Sequence, residues 1–186
     1  MKDRDNSANW HVFHSSISTG TDKYLRLNDS SATLTYANVW GDALPTSSVF
    51  GLGVNASISA NADAVAYCFA PVEGYSSMGS YQGNGNADGP FVYTGFKVAW
   101  IMIRPVSGGN WAILDTARDP DNGAGHFLLP NDSGAELDYS SSYPNDILSN
   151  GFKVRNVGGQ TNTNGQEHVY LAFASNPFAS NGGLAR

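Results

Sequence analysis

The chain has 186 residues, of which 41% are hydrophobic, 12% aromatic and only 14% charged, and 16 acidic against 10 basic side chains leave a formal net charge of −6. A chain of this size buries roughly 70% of its unfolded surface and needs no staples, and the single cysteine, Cys68, excludes an intrachain disulfide. The acidic balance opposes the counterion release that drives binding to a phosphate backbone, so nucleic acid is excluded as the expected partner. No apolar run approaches the roughly 18 residues of a membrane span, and the start MKDRDNSANW lacks the apolar segment of a secretory signal, so a soluble chain without membrane insertion is expected.

Period-two alternation sets the reading from the N-terminus. Trp10, Val12 and His14 alternate with His11 and Phe13, giving a strand over 10–14, and Tyr24 and Arg26 alternate with Leu25 and Leu27 over 23–27. Strands follow at 33–36, 48–52 and 64–70, the last (VAYCFA) burying Cys68 as a small, unreactive hydrophobe. GYSSMG at 74–79 fails the nucleophile-elbow pattern at Met78 and reads as a loop. Residues 79–104 carry a strand pair that includes 97–104, and further strands are expected at 111–115, 126–129, 135–139, 151–155 and 168–174. The intervening clusters, such as STGTD, GNGNADGP and DPDNGAG, are turn chemistry. No stretch keeps helical periodicity for ten residues without Gly or Pro, so the expected fold is all-β, an antiparallel β-sandwich or jelly roll.

The sequence repeats itself. Asn9-Trp10-His11-Val12-Phe13-His14 returns as Asn110-Trp111-Ala112-Ile113-Leu114-Asp115, Asn28-Asp29-Ser30-Ser31-Ala32 returns as Asn131-Asp132-Ser133-Gly134-Ala135, Phe50 matches Phe152, and VAYCFA (65–70) matches VYLAFA (169–174). Collinear blocks at near-constant offset describe one β-sandwich domain over 1–186 built from two related halves: unit one over 1–78, unit two over 79–178, and a tail over 179–186. Trp10 is then expected to match Trp111, and Phe69 to match Phe173, because the same alternation turns the same residues inward. The strand pair before Asn110 has no counterpart before Asn9. The chain is therefore expected to begin partway through a repeat, leaving an edge near Trp10–His14 for another chain to cover.

Chemical motifs are sparse. Only three Glu are present, Glu73, Glu136 and Glu167, and the Asp residues sit in turns, which disfavours the facing carboxylates of a glycosidase. Asp119, Asp121 and Asn122 do not complete a calcium loop, since Pro130 stands where a Glu ligand belongs. His11 and His14 fall on opposite faces of a strand, and His126 and His168 stand apart. The Asn28, Asn55 and Asn131 sequons read as turns. No catalytic residue, metal or cofactor is expected. The remaining lead is aromatic: Trp40, Tyr75, Tyr81, Tyr93 and Tyr143 fall in or beside polar loops, where flat rings with Asn, Asp and backbone amides can recognise sugars or pack against other subunits, whereas Trp100 and Trp111 fall on strands and are expected in the core.

The run GSYQGNGNADGPFVYTGFKVAWIMIR followed by NWAILDTAR, with KYLRLNDSSA, PTSSVFGLG, DAVAYCFAPVEGYS and HVYLAFASNPFASNGGLAR, resembles the C-terminal repeat domain of bacteriophage tail and fibre-like virion proteins. That resemblance implies a concanavalin- or laminin-G-like jelly roll and a virion structural protein, a tail fibre or adhesin on the virion exterior. It further implies non-catalytic attachment to the host cell surface through its polysaccharide, and a homo-oligomer, commonly a trimer, beside other virion proteins. The rival classes are a carbohydrate-active enzyme, glycosidase or lyase, on the same fold, and a capsid or tail decoration without a ligand.

Overall fold

The computed structural model describes residues 1–17, 20–53 and 63–178; the Asn55 sequon and the tail over 179–186 lie outside them. The first half contributes β1 (Lys2–Asp3), β2 (His11–Val12), β3 (Lys23–Arg26), β4 (Leu34–Thr35) and β5 (Ala64–Val65). The second contributes β6 (Ser76–Gln82), β7 (Phe91–Tyr93), β8 (Val98–Pro105), β9 (Ala112–Asp115), β10 (His126–Phe127), β11 (Leu137–Asp138), β12 (Asn145–Leu148), β13 (Gly151–Val154) and β14 (Glu167–Ala174), with a single helical turn, α1 (Gly159–Asn162), before β14. Every strand pairing is antiparallel. The fold is an all-β sandwich.

The duplication is written in the register of the ladders. Lys2 pairs with Val65 and Asp3 with Ala64, as Arg104 pairs with Val169 and Pro105 with His168. His11 exchanges backbone bonds with Met1, as Ala112 pairs with Ile103. Val12 opposes Leu25 as Ile113 opposes Leu128, and Tyr24 opposes Leu34 as Phe127 opposes Leu137. The neighbour order β5-β1-β2-β3-β4 is thus repeated as β14-β8-β9-β10-β11. The turns repeat as well. Trp10 N donates to Asn28 Oδ1 (2.8 Å) and Asn28 Nδ2 to Asn9 Oδ1 (2.9 Å), while Trp111 N donates to Asn131 Oδ1 (2.9 Å) and Asn131 Nδ2 to Asn110 Oδ1 (2.8 Å). A primary amide accepts through its oxygen and donates through its nitrogen, so one Asn satisfies both partners of this clasp.

The halves differ in how far each strand is paired. β14 lies between β6 and β8 along almost its whole length, whereas β5 finds β1 for two residues and ends at Val65. The strand expected over 64–70 therefore stops short, and Cys68, expected to be buried, is exposed. Phe69 does not occupy a second core. It is 58% exposed and packs edge-on against its own counterpart Phe173 at 5.9 Å. No strand forms at 48–52, and Phe50 is 41% exposed where Phe152 is 1% exposed. GYSSMG is not a loop throughout, since Ser76–Gln82 is a strand. Nor is the edge at Trp10–His14 bare: Met1 and Leu25 flank β2, and Leu27 N donates to Trp10 O (3.0 Å).

The sheet β6-β14-β8-β9 carries apolar side chains on both faces. On one face Ile101, Ile103, Ala112, Leu114, Tyr170 and Ala172 pack against Val92, Phe127, Ile147, Phe152 and Val154. On the other, Trp111 and Val169, with Met102, pack against Ile17 and Leu25, with Val12 and Leu27, from unit one. A smaller cluster of Tyr24, Val39 and Trp40 with Met1, Phe13 and Leu34 belongs to unit one alone. Sheets buried on one face show one apolar alternation; β8 shows two because both of its faces are covered.

The joint between the halves is organised by Arg104, the one charged side chain in VAWIMIR, which is fully buried. Its guanidinium donates to the backbone oxygens of Arg26, Asp29 (3.0 Å) and Ser31 and lies over the Trp111 ring at 4.9 Å. Trp111 Nε1 donates to the same Arg26 oxygen at 2.8 Å. Desolvation brings the Arg104 pKa down to about 10, so the side chain stays charged at neutral pH. Thr33 N donates to Val106 O (2.8 Å) and Gly109 N to Ser30 O (2.9 Å), closing the same contact. Gly108, at φ +103°, permits this approach: a Cβ there would stand 3.1 Å from Ser30 O and Ala32 N.

Candidate functional site

The five aromatic candidates separate by burial. Trp40 is 3% exposed, donates through Nε1 to Lys23 O (2.7 Å) and receives Phe13 edge-on at 5.6 Å. It lies in a turn as expected, but it is a core residue with no face to offer a ligand. Tyr143 is half-buried, edge-on to Tyr139 at 5.2 Å, with its ring lying against Gly159. Tyr81 lines a shallow depression with Ser80, Gln82, Gly165 and Glu167, but its ring is stacked on His168 at 5.1 Å and its hydroxyl donates to Thr161 O at 2.7 Å. Burial pushes its phenol well above the usual range. Trp100, expected in the core, is only partly buried and lies against Phe173.

Tyr75 (40% exposed) and Tyr93 (66% exposed) are different, and each neighbours a glycine that lines one depression, Gly74 in sequence for Tyr75 and Gly95 in space for Tyr93. A depression of about 260 Å³ is lined by Gly74, Gly95, Phe96, Lys97, Ser149, Ser175 and Asn176. Three backbone bonds build its wall where β14 ends: Ala174 N to Tyr75 O, Ser175 N to Lys97 O and Phe178 N to Gly74 O, each 2.9 Å. Tyr75, next to Gly74, is held flat by Phe178, stacked at 5.6 Å and 9°. Across the depression the chain turns at Gly95 (φ +83°), where a Cβ would come 3.7 Å from the Tyr93 hydroxyl. The lining residues carry an ammonium (Lys97), two hydroxyls (Ser149 and Ser175) and an amide (Asn176), with the exposed Tyr75 next in sequence to the lining Gly74 and the exposed Tyr93 beside the lining Gly95. Such groups read sugar hydroxyls while the rings meet sugar C–H faces. Among these groups, Lys97, Ser149, Ser175 and Asn176 escaped the sequence reading; the only signal is polar residues flanking β8, β13 and β14 at the same end.

The densest charged cluster has structural work. Arg118 Nε meets Asp115 (2.7 Å) and its Nη1 meets Glu136 (2.6 Å). Asp119 Oδ2 accepts from Gly125 N (3.1 Å) and His126 N (2.9 Å), its Oδ1 lies 2.5 Å from His126 Nδ1, and Asn122 Oδ1 accepts from Ile147 N (2.9 Å). The side-chain oxygens of Asp119 and Asn122 are thereby committed to backbone amides and to His126. Among the described residues no three metal-ligating side chains converge.

The histidines give stability a two-sided pH dependence. The hydrogen bond to Asp119 raises the His126 pKa above 6.5, so its contribution is complete below the unfolded value and is lost as pH rises through the folded one. Desolvation lowers His11, His14 and His168, which must fold neutral. His168 Nδ1 meets Gln166 O at 3.0 Å, leaving Nε2 buried without a partner among the described residues. Their unfolded forms take up protons first, so stability falls as pH drops below about 6.5. Urea midpoints are expected to decline on both sides of about pH 6.5–7, and His126→Asn is expected to flatten only the alkaline side; an unchanged alkaline slope in that variant contradicts the assignment.

A family profile matches residues 1–177. The chain belongs to the family described as domain of unknown function (DUF7483). No curated protein and no solved structure matches it. The DUF7483 span takes in both units, both Asn clasps and the Tyr75–Tyr93 depression. Among its described residues no helix is long and apolar enough to cross a membrane.

Proposed function

We propose that this DUF7483 chain is a non-catalytic module of a phage virion, a tail-fibre or adhesin domain that meets host surface polysaccharide at the depression lined by Lys97, Ser149, Ser175 and Asn176, near Tyr75 and Tyr93. The resemblance of its sequence blocks to tail and fibre-like proteins supports the virion setting, to which the jelly-roll winding and a place on the virion exterior also belong. The observation that carries the binding reading is a depression lined by Lys97, Ser149, Ser175 and Asn176, with exposed Tyr75 and Tyr93 next to its lining residues Gly74 and Gly95. Neighbouring virion proteins and further copies of the chain are its partners in this reading.

Titration calorimetry against purified host polysaccharides tests it. Tyr93→Ala and Lys97→Ala are each expected to weaken binding by about tenfold or more, roughly 1.4 kcal/mol, with the melting temperature unchanged, since both side chains are exposed. Equal affinity in both variants removes the site. New reducing ends accumulating during incubation would move the chain to the carbohydrate-active enzymes.

A further inference from the structure

The run Ala66-Tyr67-Cys68-Phe69-Ala70 continues β5 in sequence but gains no strand partner among the described residues. Among the described residues no backbone hydrogen bond joins Tyr67, Cys68 or Phe69 to another residue, and all five side chains are exposed, Tyr67 by 68% and Phe69 by 58%. In unit two the equivalent run, Tyr170 to Ala174, is hydrogen-bonded on both sides, by β6 and β8. The same alternating apolar sequence is therefore fully paired in one half of the molecule and open in the other. An open apolar edge recruits another strand, because its unpaired amides and carbonyls form a template.

The order of these residues says which strand fits. Ala, aromatic, Cys, aromatic, Ala reads nearly the same in both directions. Two copies laid antiparallel about Cys68 would set Ala66 against Ala70, Tyr67 against Phe69 and Cys68 against its own counterpart, giving two cross-strand aromatic pairs. Such pairs stabilise a ladder beyond its backbone bonds. The rings are already supported from behind, Tyr67 stacked on Trp10 at 6.0 Å and Phe69 edge-on to Phe173 at 5.9 Å, which lowers the cost of ordering them. We propose that the chain forms a two-fold dimer by antiparallel pairing of residues 66–70 between two copies. The contact is isologous, so it closes at two subunits. This pairing is independent of the glycan reading.

Sedimentation equilibrium on the full chain is expected to give about twice the 19.7 kDa chain mass at micromolar concentration. Mild oxidation with copper phenanthroline is expected to join the dimer covalently through Cys68, because directly opposed residues of an antiparallel pair lie about 4.5–5.5 Å apart at Cα, within disulfide reach. Cys68→Ser should keep the dimer and lose the crosslink. Tyr67→Glu and Phe69→Glu, both at exposed positions, should weaken dimerisation about a hundredfold or more with an unchanged circular dichroism spectrum. A monomer, a trimer such as the tail-fibre resemblance implies, a dimer indifferent to Phe69→Glu, or a dimer whose Cys68 does not crosslink overturns the proposal.

Discussion

Arg104→Met is expected to cost about 3–5 kcal/mol of folding stability, one of the largest single-residue effects in the molecule. Methionine roughly preserves the buried volume, so the loss is not chiefly a cavity effect. It comes from the carbonyls of Arg26, Asp29 and Ser31, which would stay buried in the joint without the guanidinium that satisfies them. Each orphaned carbonyl costs about 1–3 kcal/mol, moderated here because Trp111 Nε1 still donates to Arg26 O. Replacing buried charge by apolar groups is often neutral when both partners change together, but backbone oxygens cannot be exchanged. Arg104→Lys should recover less than half of the loss, because one compact ammonium cannot span three acceptors as a planar fork does. Urea unfolding measures this directly; a cost below about 1 kcal/mol for Arg104→Met would show that the joint is held by apolar packing alone.

Phe152→Ala is expected to be equally severe, about 3–5 kcal/mol, while Phe50→Ala, at the matching position of the repeat, stays within about 1 kcal/mol. Phe152 is 1% exposed and receives Tyr81 at 5.9 Å and Tyr170 at 5.6 Å, both edge-on, so truncation opens a cavity that rigid strands cannot close. Phe50 is 41% exposed outside any strand. For a chain of this length the first loss lowers the melting temperature by roughly 6–20 °C. Equal effects at the two positions would mean that unit one has a core of comparable depth.

The all-β class was legible because alternation depends only on neighbouring residues, and the repeat was legible because register copies sequence: Asn28 and Asn131 make the same clasp through the same atoms. What alternation cannot carry is pairing. VAYCFA and VYLAFA have the same pattern, yet one is exposed beyond Val65 and the other is central, because a strand exists only where partners meet it. Cys68 and Phe69 were misplaced for that reason. Trp40 was given a ligand role for a related reason: it precedes the loop residues Gly41 and Asp42 in sequence but folds back onto Tyr24 and Phe13, a contact of long separation. Tyr75 and Tyr93 were recognisable as exposed aromatics, but the depression near them required β14 to end beside Gly74 and Lys97. Arg104 had a signal that passed unused, a lone cation inside an apolar strand.

Because Arg104 grips unit one by main-chain oxygens, this polar contact asks for a curve of backbone, while the apolar part of the joint rests on Ile17 and Leu25 against Trp111 and Val169. That curve is kept by Asp29 Oδ1 accepting from Ser31 N at 2.9 Å and by the Asn9–Asn28 clasp. The outward-facing positions between them are free to drift under mutation without loosening the two halves. A duplicated protein joined in this way can let one copy diverge, shedding its core and opening its strands to new contacts, while the other copy keeps the fold.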